Sequence, residues 1–116
     1  MASFGTSYRY LDAQNISYIV TGDNKIDLPA ACEVLKETFK VEQLGIVGEP
    51  AINTAFLDAG LLDEVIILIG AGIDGRASFP PVFNRADDSQ TTPTPLELVE
   101  AKTYASGAVL IRYKTK

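Results

Sequence analysis

The sequence predicts an α/β domain with a mixed sheet. Two observations carry this prediction: apolar runs typical of strands alternate with segments of helical spacing, and the last two apolar runs are separated by a short turn. The predicted order is strand, helix, strand, helix, strand, loop, strand, strand. Helical crossovers favour parallel pairing of the first three strands, whereas a short turn joins the last two as an antiparallel hairpin.

The five predicted strands are short runs rich in β-branched, aromatic and aliphatic residues. Residues 16–20 form the first run, and turn residues close it. The run at 44–47 is apolar on both faces, as a central parallel strand should be. The run at 65–69 is the most hydrophobic of the chain. The hairpin then pairs 96–104 with 108–113 across an Ala-Ser-Gly turn.

Both predicted helices have start signals and an apolar stripe. Asp27 is expected to cap the first helix, with Pro29 in its first turn. Its apolar face consists of Leu28, Ala31, Cys32, Leu35 and Phe39. Pro50 opens the second helix, and Gly60 is expected just past its end. Its apolar face consists of Ile52, Ala55, Phe56 and Ala59.

The remaining segments show no apolar periodicity. Residues 1–9 are small and polar and predict a loose arm, followed by a short helix over 10–14. Residues 70–95 predict a long loop, which in a compact domain is typical of a functional segment or a surface excursion. With 116 residues, the chain suits one domain over 1–116, interpreted below as a partial one.

Composition excludes several classes of function. The chain has no histidine, which excludes Ser-His-Asp and Cys-His catalysis, and its scattered carboxylates predict no metal site. A net charge of −5 argues against nucleic-acid and anionic-membrane partners. The single cysteine, Cys32, and the absence of a membrane-length apolar run lead us to expect a cytoplasmic protein. What remains is chemistry borrowed from a cofactor, or binding alone.

One turn has the features of a phosphate site. Gly48-Glu49-Pro50 joins a predicted strand to the start of a helix, where unpaired backbone N–H groups and the helix dipole favour an anion. The alternative is an ordinary strand-to-helix turn in which Glu49 complements the dipole. A second glycine motif, G-x-G-x-x-G at 70–75, matches the dinucleotide fingerprint, but the prolines at Pro80 and Pro81 prevent the helix that this motif must open.

Three segments together resemble one family. They are Val-Gly-Glu-Pro at 47–50, Ala-Phe-Leu-Asp-Ala-Gly-Leu-Leu-Asp-Glu at 55–64 and Gly-Ala-Val-Leu-Ile-Arg-Tyr at 107–113. This pattern resembles the C-terminal reductase domain of the bacterial riboflavin-biosynthesis deaminase/reductase, whose fold is dihydrofolate-reductase-like. The resemblance extends over residues 10–113.

The resemblance implies an NADPH-dependent reductase similar to 5-amino-6-(5-phosphoribosylamino)uracil reductase, acting on a small pyrimidine or pterin-like substrate. The glycine turn would hold cofactor phosphates on its backbone amides, and the end of the first strand would line the same groove. The predicted cofactor-binding residues are Gly48, Glu49, Pro50, Ala51, Asn53, Thr21 and Gly22. No catalytic residue is predicted, because the family's substrate half has no counterpart in this chain.

Two departures from the family pattern leave alternatives open. The family's Glu-Gly-Gly is Val47-Gly48-Glu49 here, and a carboxylate beside a phosphate costs ~1–4 kcal/mol depending on exposure. The family's earlier strands are also absent, which predicts either a fragment or a shortened relative with an open sheet edge. Open edges and apolar patches favour association, so we expect a homodimer. The alternatives are a catalytically inactive dimeric structural module, or a nucleotide or pterin binder without turnover.

Overall fold

The computed structural model describes residues 2–87 and 89–116. The described residues form three helices and three strands. In chain order these are α1 (Ala2–Ala13), α2 (Leu28–Glu37), α3 (Pro50–Asp58), β1 (Glu64–Ile69), β2 (Leu96–Thr103) and β3 (Val109–Thr115). The chain divides into two compact units, Met1–Leu44 and Gly45–Lys116, which are described separately below.

The first unit begins with a helix where the sequence predicted a loose arm over 1–9 and a short helix over 10–14. Helix α1 runs through Ala2–Ala13. Asn15 ends it in the left-handed conformation, φ 56°, and the Ile16 N–H donates to the Leu11 carbonyl at 2.9 Å. This is a helix terminus that asparagine tolerates well. The N-terminal part of α1 has no apolar period, so sequence patterning did not detect it.

Helix α2 confirms the predicted cap. The Asp27 carboxylate accepts a hydrogen bond from the Ala30 N–H at 3.1 Å, and Pro29 occupies the first turn. Both features satisfy or remove backbone donors that the start of a helix leaves unpaired.

The predicted parallel strands need correction. Segments 16–20 and 44–47 do not form strands, and among the described residues none pairs with them. Val47, expected in a buried central strand, is 100% exposed. A strand is stable only when a neighbouring strand pairs with its backbone N–H and C=O groups, and these two apolar runs have no such neighbour in the described chain. The predicted parallel pairing is therefore not confirmed.

The sheet of the second unit is antiparallel throughout its described strands, in the order β1-β3-β2. The predicted terminal hairpin is confirmed: β2 pairs β3, and the Tyr104 N–H donates to the Ala108 carbonyl at 2.9 Å across the turn. Gly107 has φ 90° in that turn, a conformation that favours glycine. The predicted strand at 65–69 is confirmed as β1.

The strand register separates two faces of the sheet. One, the apolar face, aligns Val65 with Tyr113, Ile67 with Ile111 and Ile69 with Val109. The other carries cross-strand ion pairs: Arg112 lies 3.2 Å from the Glu64 carboxylate and 3.6 Å from that of Glu100, and Lys114 lies 3.6 Å from Glu97. Alternate residues of a strand point to opposite faces, so this segregation follows from the register.

The described chain has no buried hydrophobic core. Within residues 8–87 and 89–116 no hydrophobic side chain is buried, and the one buried residue there, Thr54, is polar and 7% exposed. Ile66 and Leu68 on β1 are 59% and 63% exposed. The predicted apolar face of α3 is likewise not buried. The predicted apolar residues are present in α3 and in the strands, but the described residues contain no surface that covers them.

Candidate functional site

The first turn of α3 has the geometry of an anion-binding helix start. Glu49 is the N-cap residue, extended at φ −71° and ψ 158°, and its carboxylate makes no capping hydrogen bond. Its carbonyl accepts the N–H groups of Ile52 and Asn53 at 3.0 and 3.1 Å. Pro50 is the first helical residue and has no N–H. The predicted helix start at Pro50 is confirmed.

Two donors, at the N-cap and in the first turn of α3, remain without a partner in the described chain. These are the N–H groups of Glu49 and Ala51, for which no hydrogen bond occurs. Both residues are exposed. Unpaired N–H groups at a helix start carry a partial positive charge and favour an anion. Glu49 places its own exposed carboxylate at the same turn, which opposes an anion there.

The Asn53 side chain donates hydrogen bonds within the protein, and its predicted contact with the cofactor stays a prediction. Its amide nitrogen donates to the Val82 carbonyl at 2.9 Å and lies 3.5 Å from the Gly48 carbonyl. Its donor group is therefore occupied within the protein. The side chain connects the turn to the long loop.

Thr54 is a structural residue that patterning missed. Its hydroxyl donates to the Pro50 carbonyl at 2.8 Å and accepts the Asn84 N–H at 2.8 Å. Both hydrogen-bonding capacities are used, as a buried hydroxyl requires. The only sequence signal was a β-branched polar residue inside a helix, next to the predicted apolar stripe. That signal does not indicate what the hydroxyl binds.

A third contact extends the attachment of the loop. The Arg85 guanidinium pairs with the Asp58 carboxylate, with the Arg85 Nε 3.1 Å from Oδ1. This hydrogen bond raises the pKa of Arg85 above its usual value. We call these contacts, from Asn53, Thr54 and Asp58 to the loop segment 82–85, the α3–loop contact. They bring part of the long predicted loop beside the candidate turn.

The beginning of the loop has its own local order. Asp74 pairs with Arg76 through two oxygens at 2.6 Å, and the Arg76 guanidinium lies 4.7 Å from the centre of the Phe79 ring. The hydrogen bonds from Arg76 hold the pKa of the Asp74 carboxyl below its usual value. No helix follows the 70–75 glycine motif, which agrees with its rejection as a dinucleotide fingerprint.

Thr21 and Gly22 lie in the first unit, whereas Gly48–Asn53 lie in the second. The Thr21 hydroxyl donates to the Asp27 carbonyl at 3.0 Å. Gly22 has φ 77°, and a Cβ there would be 1.9 Å from the Lys25 carbonyl oxygen, so this turn requires glycine. Both residues shape the loop before α2, and their part in a cofactor groove stays a prediction.

Within 2–87 and 89–116, no group of three or more Cys, Asp or Glu side chains is placed to hold a metal ion. Helices in the same part of the chain are too short or too polar to cross a membrane.

Solved structures share the fold of this chain. A pyrimidine reductase-like protein of Corynebacterium diphtheriae matches 100% of this chain and 46% of its own length, at 21% identity and a TM-score of 0.81. RibD of Acinetobacter baumannii, in two forms, matches 93% of this chain and 29% of its own length, at 17% identity and TM-scores of 0.73 and 0.72. These likenesses show the fold, and the chain spans less than half the length of each. Curated protein sequences contain no match.

The family follows from the sequence itself. The family model of the RibD C-terminal domain matches residues 5–110. This chain belongs to the RibD C-terminal domain family, and the resemblance to the riboflavin-biosynthesis reductase domain is confirmed at that level. The matched range includes α3, the α3–loop contact and most of the sheet.

Proposed function

We propose that this chain is an NADPH-dependent reductase domain of the riboflavin-biosynthesis type, similar to 5-amino-6-(5-phosphoribosylamino)uracil reductase. The substrate would be a small pyrimidine or a related pterin-like molecule. Family membership supports the reaction class, since RibD reductase domains generally bind NADPH. Bound cofactor would supply the hydride, and the task of this chain would be to hold and orient it.

The observation that carries the proposal is the pair of unpaired amides at Glu49 and Ala51. In this proposal, backbone groups of Gly48, Glu49, Pro50 and Ala51 contact the cofactor phosphates. A helix start with free N–H groups suits a phosphate regardless of the side chains around it. This is consistent with a chain that contains no histidine and no cluster of cationic residues at the turn.

NADPH titration of the full chain by calorimetry tests the proposal. We expect a dissociation constant of roughly 100 μM or tighter, equivalent to about −5.5 kcal/mol. No binding at millimolar NADPH would overturn the cofactor assignment. Where binding is found, NADPH oxidation is then followed with pyrimidine and pterin substrates.

The carboxylate of Glu49 provides a sharper test. Replacing Glu49 by Gly or Gln removes a negative charge beside the phosphates, and we expect NADPH to bind about fivefold more tightly, from ~1 kcal/mol of relieved repulsion at an exposed position. Glu33→Gln is the matched control, because Glu33 is an exposed carboxylate on α2. Equal effects at 49 and 33 would indicate a general charge effect and count against phosphate binding at this turn.

The second candidate is a catalytically inactive, dimeric structural or nucleotide-binding module. The exposure of Ile66 and Leu68, together with the unpaired outer edge of β1, favours it. Apolar surface and an open strand edge both promote association. Sedimentation velocity at micromolar concentration should then show a homodimer that forms without NADPH. A monomer that binds NADPH would exclude this candidate.

A further inference from the structure

Two adjacent side chains of α3 connect backbone carbonyls of the candidate turn to the long loop. Asn53 lies between the Gly48 carbonyl, 3.5 Å away, and the Val82 carbonyl, 2.9 Å away. Thr54 lies between the Pro50 carbonyl and the Asn84 N–H, each at 2.8 Å. In both arrangements, one side chain of α3 links a backbone carbonyl of the turn to a backbone group of the loop.

Peptide geometry makes these two carbonyls significant. In a trans peptide unit the C=O group and the following N–H group share one plane and point in opposite directions. The Gly48 carbonyl therefore shares its plane with the Glu49 N–H, and the Pro50 carbonyl shares its plane with the Ala51 N–H. No cis peptide bond occurs among the described residues. A contact that holds either carbonyl consequently fixes the direction of one of the two unpaired amides.

The two peptide planes depend on these side chains to different degrees. Pro50 is in the helix, so the backbone of α3 also restrains its carbonyl, and Thr54 adds a second donor. The Gly48 carbonyl lies before the helix, and the Asn53 amide is the one partner it has in the described chain. The Glu49 N–H should therefore depend most on Asn53.

We propose that Asn53 and Thr54 are positioning residues that orient the amides of Glu49 and Ala51 and couple this orientation to loop segment 82–84. This inference rests on the proposed function for the identity of the ligand. It assigns Asn53 a role through the backbone, in place of the direct phosphate contact expected from the sequence. It also makes the loop a structural support of the phosphate turn.

Asn53→Ala is the principal test, since alanine is a better helix former than asparagine and the substitution does not weaken α3 intrinsically. We expect the affinities for NADPH and for inorganic pyrophosphate to fall by the same factor, about fivefold to tenfold, which is what the loss of one hydrogen bond is worth. Asn24→Ala is the matched control, because Asn24 is exposed and makes no hydrogen bond to any other described residue.

Thr54 variants separate the hydroxyl from the shape of the side chain. Thr54→Val removes both hydrogen bonds and should weaken pyrophosphate binding, by a smaller factor than Asn53→Ala. Thr54→Ser keeps the hydroxyl and should restore the wild-type affinity. If Thr54→Ser binds as weakly as Thr54→Val, packing and not hydrogen bonding is responsible, and the assignment of Thr54 fails.

A ligand-free measurement keeps the inference independent of the proposed function. Residual dipolar couplings report the directions of the Glu49 and Ala51 N–H bonds. The Glu49 direction should change in Asn53→Ala and the Ala51 direction in Thr54→Val, whereas neither should change in Asn24→Ala. Limited trypsinolysis reports on the loop. In Asn53→Ala and Thr54→Val, cleavage after Arg85, inside the α3–loop contact, should rise several-fold relative to cleavage after Arg76.

The outcomes distinguish the two claims. A wild-type chain that binds neither NADPH nor pyrophosphate contradicts the proposed function, while the couplings and the trypsin pattern still decide the inference. Unchanged N–H directions in Asn53→Ala would overturn the inference even if the wild-type chain binds NADPH well. An equal loss of affinity in Asn24→Ala would also overturn it.

Discussion

The α3–loop contact and the sheet are two regions of the same unit held by different interactions. The first is held by side-chain hydrogen bonds and an ion pair, around the one buried residue of the described chain, Thr54. The second is held by a backbone ladder between β1, β3 and β2, with exposed apolar side chains on its strands. Specific polar contacts therefore provide order in one region, and strand pairing provides it in the other.

This difference explains which region suits which function. A polar contact at a helix start defines the direction of backbone donors, which is what a phosphate site requires. An exposed apolar strand with an open edge does not need donors fixed in one direction, and such a strand is typical of a surface that contacts a partner. The reductase proposal depends on the first region, and the dimeric-module alternative depends on the second.

The largest expected effect lies in the α3–loop contact. Thr54→Val leaves the Asn84 N–H and the Pro50 carbonyl without the hydroxyl, and should lower the free energy of unfolding by about 1–3 kcal/mol. Thr103→Val is the matched control on β2, where the hydroxyl makes no hydrogen bond within the described part of the chain. Urea denaturation of both variants measures the difference. Equal losses would mean that the two regions do not differ as described.

The end of α3 should show the next largest effect. Gly60 has φ 70°, and a Cβ there would meet no atom within 4 Å, so Gly60→Ala tests backbone strain alone. We expect a loss of about 1 kcal/mol in unfolding free energy. Gly45→Ala is the control, since a Cβ at Gly45 also meets no atom and its φ is not left-handed. If Gly60→Ala leaves the free energy of unfolding unchanged, the end of α3 does not depend on glycine at position 60.

The charged face of the sheet should contribute less. Arg112 bridges Glu64 and Glu100 at 3.2 and 3.6 Å, and these side chains are partly exposed to solvent. Arg112→Met should cost about 0.5 kcal/mol at low salt, and the difference should disappear at high salt. Denaturation at two salt concentrations measures it, with Lys25→Met as a control cation that forms no ion pair among the described residues. A salt-independent loss would point to packing by Arg112.

The smallest effect concerns the start of the loop. The hydrogen bonds from Arg76 lower the pKa of Asp74, so the ionised form is favoured in the folded state. This stabilisation is present above the unfolded pKa of an aspartate and is lost as pH falls through the lower folded pKa. NMR titration of the Asp74 carboxyl should show a higher midpoint in Arg76→Met and no change in Lys36→Met. An unchanged midpoint in Arg76→Met would contradict the pairing.

Local signals in the sequence determined the parts of the fold that short-range chemistry controls. The Asp27 cap, the Pro50 helix start, the Gly60 helix end and the terminal hairpin were all predicted, because each depends on residues close together in the chain. The family was also identified from sequence, through segments at 47–50, 55–64 and 107–113.

Only the tertiary structure decided which apolar runs have partners and what the polar side chains of α3 contact. Segments 16–20 and 44–47 have strand-like composition, but pairing depends on a neighbouring strand that composition cannot supply. Likewise, Asn53 and Thr54 contact residues that lie 29 and 30 positions further along the chain, and no local pattern encodes that separation. Local chemistry therefore determined the helix ends and the hairpin, whereas long-range contacts decided the sheet pairing and the support of the candidate phosphate turn.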